Sequence, residues 1–227
     1  MPLIVFGIVL LVLIFGPGLW VKHVLRKYST PTDRYPMSGA EFARRLLDAA
    51  ELTHVKTEVT DSGDHYDPMA KAVRLMPDRY NDHSLTAITV AAHEVGHALQ
   101  DHLGYQPLSL RTRLVVWVRP LEKIGAGILI GAPLLAAALR IPSAGMLMFS
   151  GGILTLGTAA LVHMVTLPTE IDASFRRALP MLEASQILYP SDMPHARRLL
   201  SAAAMTYVSA SLMSLLNIAR WIAILRR

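Results

Sequence analysis

The sequence predicts a mostly α-helical integral membrane protein, with about four transmembrane helices and a small α+β polar domain. Three observations predict it. Hydrophobic residues make up 52% of the 227 positions and mean hydropathy is +0.38, more apolar than an ordinary soluble domain. Four stretches approach or exceed the roughly 20 helical residues that cross a bilayer: 3–21, 116–139, 141–167 and 202–225. Between the first two lies a polar region, 22–115, whose patterns alternate between helical and extended.

The first apolar stretch, Leu3–Val21, has no basic residues before it and no small-residue cleavage pattern after it. It reads as a retained anchor rather than a cleaved leader. In the polar region, Ser38 followed by Glu41 has capping-box spacing and opens an amphipathic helix, Ala40–Ala50. Val55–Val59 and Lys71–Leu75 alternate like strands. Asp61-Ser62-Gly63-Asp64 is a turn, and Pro68 and Pro77 keep the strands short. Ser84 is the N-cap expected for a helix over about 84–103, which Gly104 ends. Segment 116–139 carries Glu122 and Lys123 near its start. Segment 168–201 reads as polar and helical. Arg220 interrupts the last turns of 202–225, so that stretch reads as a span or as an interfacial helix.

Basic residues sort the loops. Lys22, Arg26, Lys27 and Arg34 follow the first stretch, Arg111, Arg113 and Arg119 lead into the second, and Arg176, Arg177, Arg197 and Arg198 lie before the fourth. The positive-inside rule then puts 22–115 and 168–201 on the cytoplasmic side of a prokaryotic cell membrane. Arg226 and Arg227 run against that scheme. The net charge of +5 is read as topology, not as nucleic-acid binding. With no cysteine, disulfides and thiolate metal sites are excluded.

The chemistry is concentrated in His93-Glu94-Val95-Gly96-His97. Four residues of helix advance about 400°, so His93 and His97 project from one face, a turn apart. Two imidazoles so placed can hold one zinc ion, and Glu94 beside them can take a proton from a water molecule. Two histidines and a carboxylate interrupt the apolar run Leu85–Leu99, and burying them without a metal or partners would cost several kcal/mol.

A catalytic zinc needs a third protein ligand. Glu170, at the start of a helix led by Pro168, is the best candidate. Two crossings would return it to the side of His93 and His97. His163, His102, His83 and His65 compete for the role. Asp172 is a candidate for orienting a histidine N–H, although two acids at a helix N-terminus are also what the macrodipole favours. Tyr207 and His195 are candidates for stabilising an oxyanion. His65, Tyr66 and Asp67 are candidates for a strand that holds extended substrate; the plainer reading is that this segment only covers the helix.

Four segments carry a resemblance: Asp64–Pro68, Val90–Ala98, Thr166–Ser174 and Leu200–Val208. In this order, over nearly the whole chain, they resemble the YugP-like family of membrane-bound neutral zinc metallopeptidases. The resemblance implies a multi-span, gluzincin-type zinc peptidase with a zincin-like catalytic domain over 22–115 and a glutamate as third ligand. Related membrane zinc proteases of the heat-shock type place an Asp four residues after that glutamate. Here the position holds Ser174, and the Asp falls at 172.

The function expected is metalloendopeptidase activity at or near the membrane surface, with one catalytic Zn²⁺ and Glu94 as general base. The expected partners are the lipid bilayer and a peptide or membrane-protein substrate, with no nucleic acid. Gly125-x-Gly127 and Gly151-Gly152 permit helix association, hence oligomers. One rival reading is a membrane scaffold or chaperone-like protein with a structural zinc and no proteolysis. Another is cleavage of substrates inside the bilayer.

Overall fold

In the computed structural model the described residues are 2–139, 162 and 166–206, without the side chains of 2–11, 13–14 and much of 119–139. Eight elements precede residue 140: α1 (Pro2–Lys27), α2 (Gly39–Ala49), β1 (Lys56–Val59), β2 (His65–Asp67), β3 (Ala72–Leu75), α3 (Pro77–Asn81), α4 (Leu85–His102) and α5 (Gln106–Leu139). Helical residues 166–171 lead into a π-helix, Asp172–Ala178. Then come α6 (Leu179–Ser185), a 3₁₀ turn (Pro190–Asp192) and α7 (residues 193–206).

The chain divides into two compact units. One comprises Met1–Gly18, Leu110–Thr166 and Tyr207–Arg227; the other comprises Leu19–Ser109 and Leu167–Thr206. About half of the first lies outside the described residues, including most of segments 141–167 and 202–225. The second unit holds the polar domain and the core.

The membrane fold needs correction. The described chain is mostly helical with a small sheet, but among the described residues no helix is long and apolar enough to cross a membrane. The segment read as a first span falls in α1, which has Pro17 inside it and runs on beyond Val21 through Lys22, Arg26 and Lys27. The segment read as a second span is part of α5. That helix starts ten residues earlier than 116, and its first 18 residues contain Arg111, Arg113, Arg119, Glu122 and Lys123. The apolar remainder, Ile124–Leu139, is shorter than the about 20 residues a span requires. The loop-charge argument for orientation rested on those spans and falls with them.

Within the core unit, local signals and structure coincide at the caps. Ser38 Oγ accepts from the Glu41 N–H at 3.3 Å, and Glu41 Oε2 accepts from the Ser38 N–H at 2.8 Å, so α2 begins where two orphan donors are satisfied. Ser84 Oγ accepts from the Ala87 N–H at 3.2 Å and starts α4. Gly104, with φ of 64°, lies just beyond the α4 C-cap, in the left-handed region that glycine enters freely.

The sheet has the order β1-β3-β2. β1 and β3 pair in parallel, Lys56 opposite Ala72 through Val59 opposite Leu75. β2 pairs antiparallel with β3, Tyr66 opposite Val73. β2 is therefore an edge strand, and the connection carrying it gives β1 and β3 the length of chain that parallel pairing needs.

α4 is the hub. Apolar residues fill its sequence between the polar ones, and it is buried on almost every side from Leu85 to Ala98, as expected of a helix apolar all round. α2 lays Phe42, Ala43, Leu46 and Leu47 into this core. β3 adds Val73 and Leu75, and the C-terminal segment adds Ala178, Leu182, Leu199 and Leu200. A salt bridge ties the loop after α1 to the 3₁₀ turn: Arg34 Nε and Nη2 donate to the Asp192 carboxylate at 2.7 and 2.8 Å, and the Tyr35 hydroxyl donates to the same group.

Candidate metal centre

His93 and His97 stand one turn apart on α4, with ring centroids 4.8 Å apart and planes at 80°. Both Nε2 atoms point at one oxygen. Glu170 Oε2 lies 3.2 Å from His93 Nε2 and 3.4 Å from His97 Nε2. One ligand atom from each residue falls within 4.8 Å of the other two. His93, His97 and Glu170 are 5%, 4% and 1% exposed, and Glu94, next to His93 on the helix, is also buried.

This donor set fits zinc. At bond lengths of about 2.0–2.1 Å to nitrogen and oxygen, tetrahedral geometry separates adjacent ligand atoms by about 3.3 Å. The two nitrogen–oxygen distances straddle that value. Two imidazoles and one carboxylate, with no sulfur available, leave a tetrahedral ion one open position.

Burial pushes the Glu170 carboxyl up, but His97 and His93 outweigh it and hold the group well below the usual carboxylate range. The group therefore stays ionised inside the core.

Glu170 arrives on helical residues 166–171, and the π-helix that follows packs its wide turn against α4. The Leu179 N–H reaches the Ser174 carbonyl, five residues back. Such turns are uncommon and recur at functional sites. The approach to α4 requires Gly96. A Cβ there would lie 2.7 Å from the Ala173 carbonyl oxygen and 3.3 Å from Arg177 Cβ. The residue just before His97 is thus small because a backbone lies against it.

Each histidine also has a partner at its other nitrogen. The Ser174 hydroxyl lies 3.1 Å from His93 Nδ1 and donates to the Leu200 carbonyl at 3.2 Å. Gln100 Oε1 lies 3.0 Å from His97 Nδ1. Gln100 Nε2 donates to the Thr169 carbonyl and to Asp172 Oδ2, both at 2.8 Å. Arg177 Nε donates to that same Asp172 oxygen at 3.2 Å.

The remaining sequence candidates fall elsewhere. Asp172 is buried, and its carboxylate accepts from Gln100 and Arg177 rather than from a histidine ring. His195 is exposed, stacked on Tyr28 at 4.9 Å and bonded through Nδ1 to the Tyr28 hydroxyl at 3.1 Å. Tyr207 and His163 lie outside the described residues. His83 Nδ1 pairs with the Tyr35 carbonyl, and His102 is the exposed last residue of α4. His65, Tyr66 and Asp67 form β2. His65 Nδ1 meets the Gly63 carbonyl at 2.8 Å, the Tyr66 hydroxyl donates to Asp101 at 2.7 Å, and Asp67 accepts from Arg74 at 2.7 Å.

Gln100 went unremarked in the sequence. The available signal was a carboxamide three residues after His97, on the same helical face, at the end of an apolar run.

Comparison with known proteins bears on the whole chain. The family model described as "Putative neutral zinc metallopeptidase" matches residues 3–226. The chain is 35% identical over 215 residues to the protein named "Putative membrane protease YugP" of Bacillus subtilis (strain 168), covering 92% of each. No solved structure matches. With a family match from residue 3 to residue 226, and a buried His-His-Glu group at its centre, this chain belongs to the neutral zinc metallopeptidase family.

Proposed function

We propose that this protein is a zinc-dependent endopeptidase in which His93, His97 and Glu170 hold one zinc ion and Glu94 is the general base. The observation that carries the reading is the convergence of His93 Nε2 and His97 Nε2 on one Glu170 oxygen, at 3.2 and 3.4 Å. Zinc held by these three residues would supply a Lewis acid and lower the pKa of water. Glu94 would accept the proton of the attacking water as its oxygen adds to the peptide carbonyl. It then returns the proton to the amine as the C–N bond breaks, so that one water is consumed per bond cut. Glu170 contributes a negative charge that partly neutralises the cation.

A structural zinc in a binding scaffold is the rival. Structural sites are usually closed by four protein ligands, commonly including cysteine. Among the described residues the group contains three ligands, which favours an open, hydrolytic centre.

β2 lies at the sheet edge, and its outer side is a suitable place for an extended substrate to add by backbone hydrogen bonds. The Bacillus relative is named a membrane protease. With the apolar composition of this chain, that name supports a membrane-associated substrate.

The test is peptide or casein hydrolysis by the full chain. Activity should vanish with a chelator, return with zinc and be absent from Glu94→Gln. Hydrolysis that survives both chelation and Glu94→Gln would refute the reading.

A further inference from the structure

We infer that Gln100 and Ser174 are positioning residues that pre-set the tautomers of both histidines, so that each Nε2 lone pair faces the metal position. The inference rests on the proposed zinc site and extends it to groups that never touch the ion.

Hydrogen-bond bookkeeping around Gln100 has one solution. The Thr169 carbonyl and the Asp172 carboxylate are acceptors, and both lie 2.8 Å from the same end of the Gln100 amide. That end must be the NH₂ group. The carbonyl end then faces His97 Nδ1 at 3.0 Å, and an acceptor facing Nδ1 requires Nδ1 to carry the hydrogen. The neutral ring is left with its lone pair on Nε2, the atom 3.4 Å from Glu170 Oε2. Two groups some 70 residues along the chain thereby decide which nitrogen of His97 can bind a metal. Arg177 holds Asp172 in turn, at 3.2 Å on the oxygen that Gln100 uses.

Ser174 repeats the logic with a hydroxyl. Its single hydrogen goes to the Leu200 carbonyl at 3.2 Å, so a lone pair faces His93 Nδ1 at 3.1 Å. His93 must then donate from Nδ1 and present Nε2. Gln100 and Ser174 are fully buried, so water does not offer either ring an alternative partner. Both locks depend on the same stretch: Thr169, Asp172 and Ser174 flank Glu170. The segment that supplies the third ligand also orients the first two.

The test measures zinc affinity of the full chain by competition with a chromophoric chelator, together with the visible spectrum of the cobalt-substituted protein. Gln100→Met keeps side-chain length but cannot donate to Thr169 or Asp172. Ser174→Ala removes only the hydroxyl. Each should weaken zinc binding about 10–100-fold and shift the cobalt bands, and at saturating zinc kcat should fall with KM little changed. Asp172→Asn keeps an oxygen acceptor at the same place and should lose less than Gln100→Met.

Folding of each variant is checked by the melting transition of the metal-free chain. Ser174→Ala, which only deletes an atom, keeps the test decisive if Gln100→Met unfolds. Wild-type affinity and an unchanged cobalt spectrum in a folded Gln100→Met or Ser174→Ala would overturn the inference. Failure of the wild-type chain to bind zinc would instead overturn the proposed metal site itself.

Discussion

Individual residues divide into those whose role is local and those defined by distant partners. The spacing of His93, Glu94 and His97 can be read from five consecutive letters, because helix geometry alone puts the histidines on one face. Gln100 could not be read that way. A carboxamide is not a usual zinc ligand, and its deciding partner is 72 residues further on. Asp172 was considered as a partner for a histidine, yet it meets Gln100 and Arg177. At this scale Glu94→Gln should cut the rate by about 10²–10⁴ while zinc stays bound, as read by kcat together with metal analysis. Zinc lost with activity would give Glu94 a binding role instead.

Asp192 gives a residue-scale prediction about stability. Burial pushes its carboxyl up, but the bonds from Arg34 and Tyr35 outweigh this and hold it below the usual carboxylate range. A carboxyl depressed in the folded state contributes stability above its unfolded pKa of about 3.9, and loses it as pH falls through the lower folded value. Asp192→Ala should therefore cost about 1–3 kcal/mol at pH 7, towards the low end because Arg34 is partly solvated. The gap in melting temperature between wild type and variant should close below about pH 4. A gap that persists undiminished into that range would show that packing, rather than the ion pair, dominates.

At the scale of elements, the caps were legible and the pairings were not. Ser38, Glu41 and Ser84 act on backbone groups three residues away, so their signals survive without tertiary context. Parallel pairing of β1 with β3 depends on where the intervening chain passes, which alternation of side chains does not encode. The π-helix was likewise invisible, since its extra residue per turn is stabilised by packing against α4 rather than by propensity. Gly96 marks that contact. Gly96→Ala would gain about 1 kcal/mol of helix propensity, but the new methyl meets a backbone oxygen at 2.7 Å. Overpacking of this kind costs about 1–3 kcal/mol, and a carbonyl within a helix cannot move alone. The variant should melt lower and bind zinc more weakly as the segment bearing Glu170 is pushed away. A variant with unchanged melting and unchanged affinity would contradict that account of the contact.

At the scale of the whole molecule, hydropathy was a poor guide to architecture. Apolar windows at 3–21 and 116–139 suggested spans, but a window does not see where a helix begins. α5 carries charged positions into the same rod. The core, by contrast, unites stretches far apart in the chain. A fragment of residues 22–115 would lack Glu170, Ser174 and Asp172, and also the buried Leu182, Leu199 and Leu200. Each such leucine contributes about 1.5–3 kcal/mol by burial, against a total stability of about 5–15 kcal/mol. The fragment should therefore neither fold cooperatively by circular dichroism nor bind zinc with the affinity of the full chain. A folded, active fragment would contradict the role assigned to 167–206.

The central claim is a single zinc ion held by two imidazoles and one carboxylate. Zinc K-edge X-ray absorption on the full-length protein tests it most directly. The account predicts one zinc per chain with about four nitrogen and oxygen ligands near 2.0 Å, an outer-shell signature of two imidazoles, and loss of one light ligand or of the metal in Glu170→Ala. A spectrum without imidazole scattering, or one unchanged by Glu170→Ala, would contradict it.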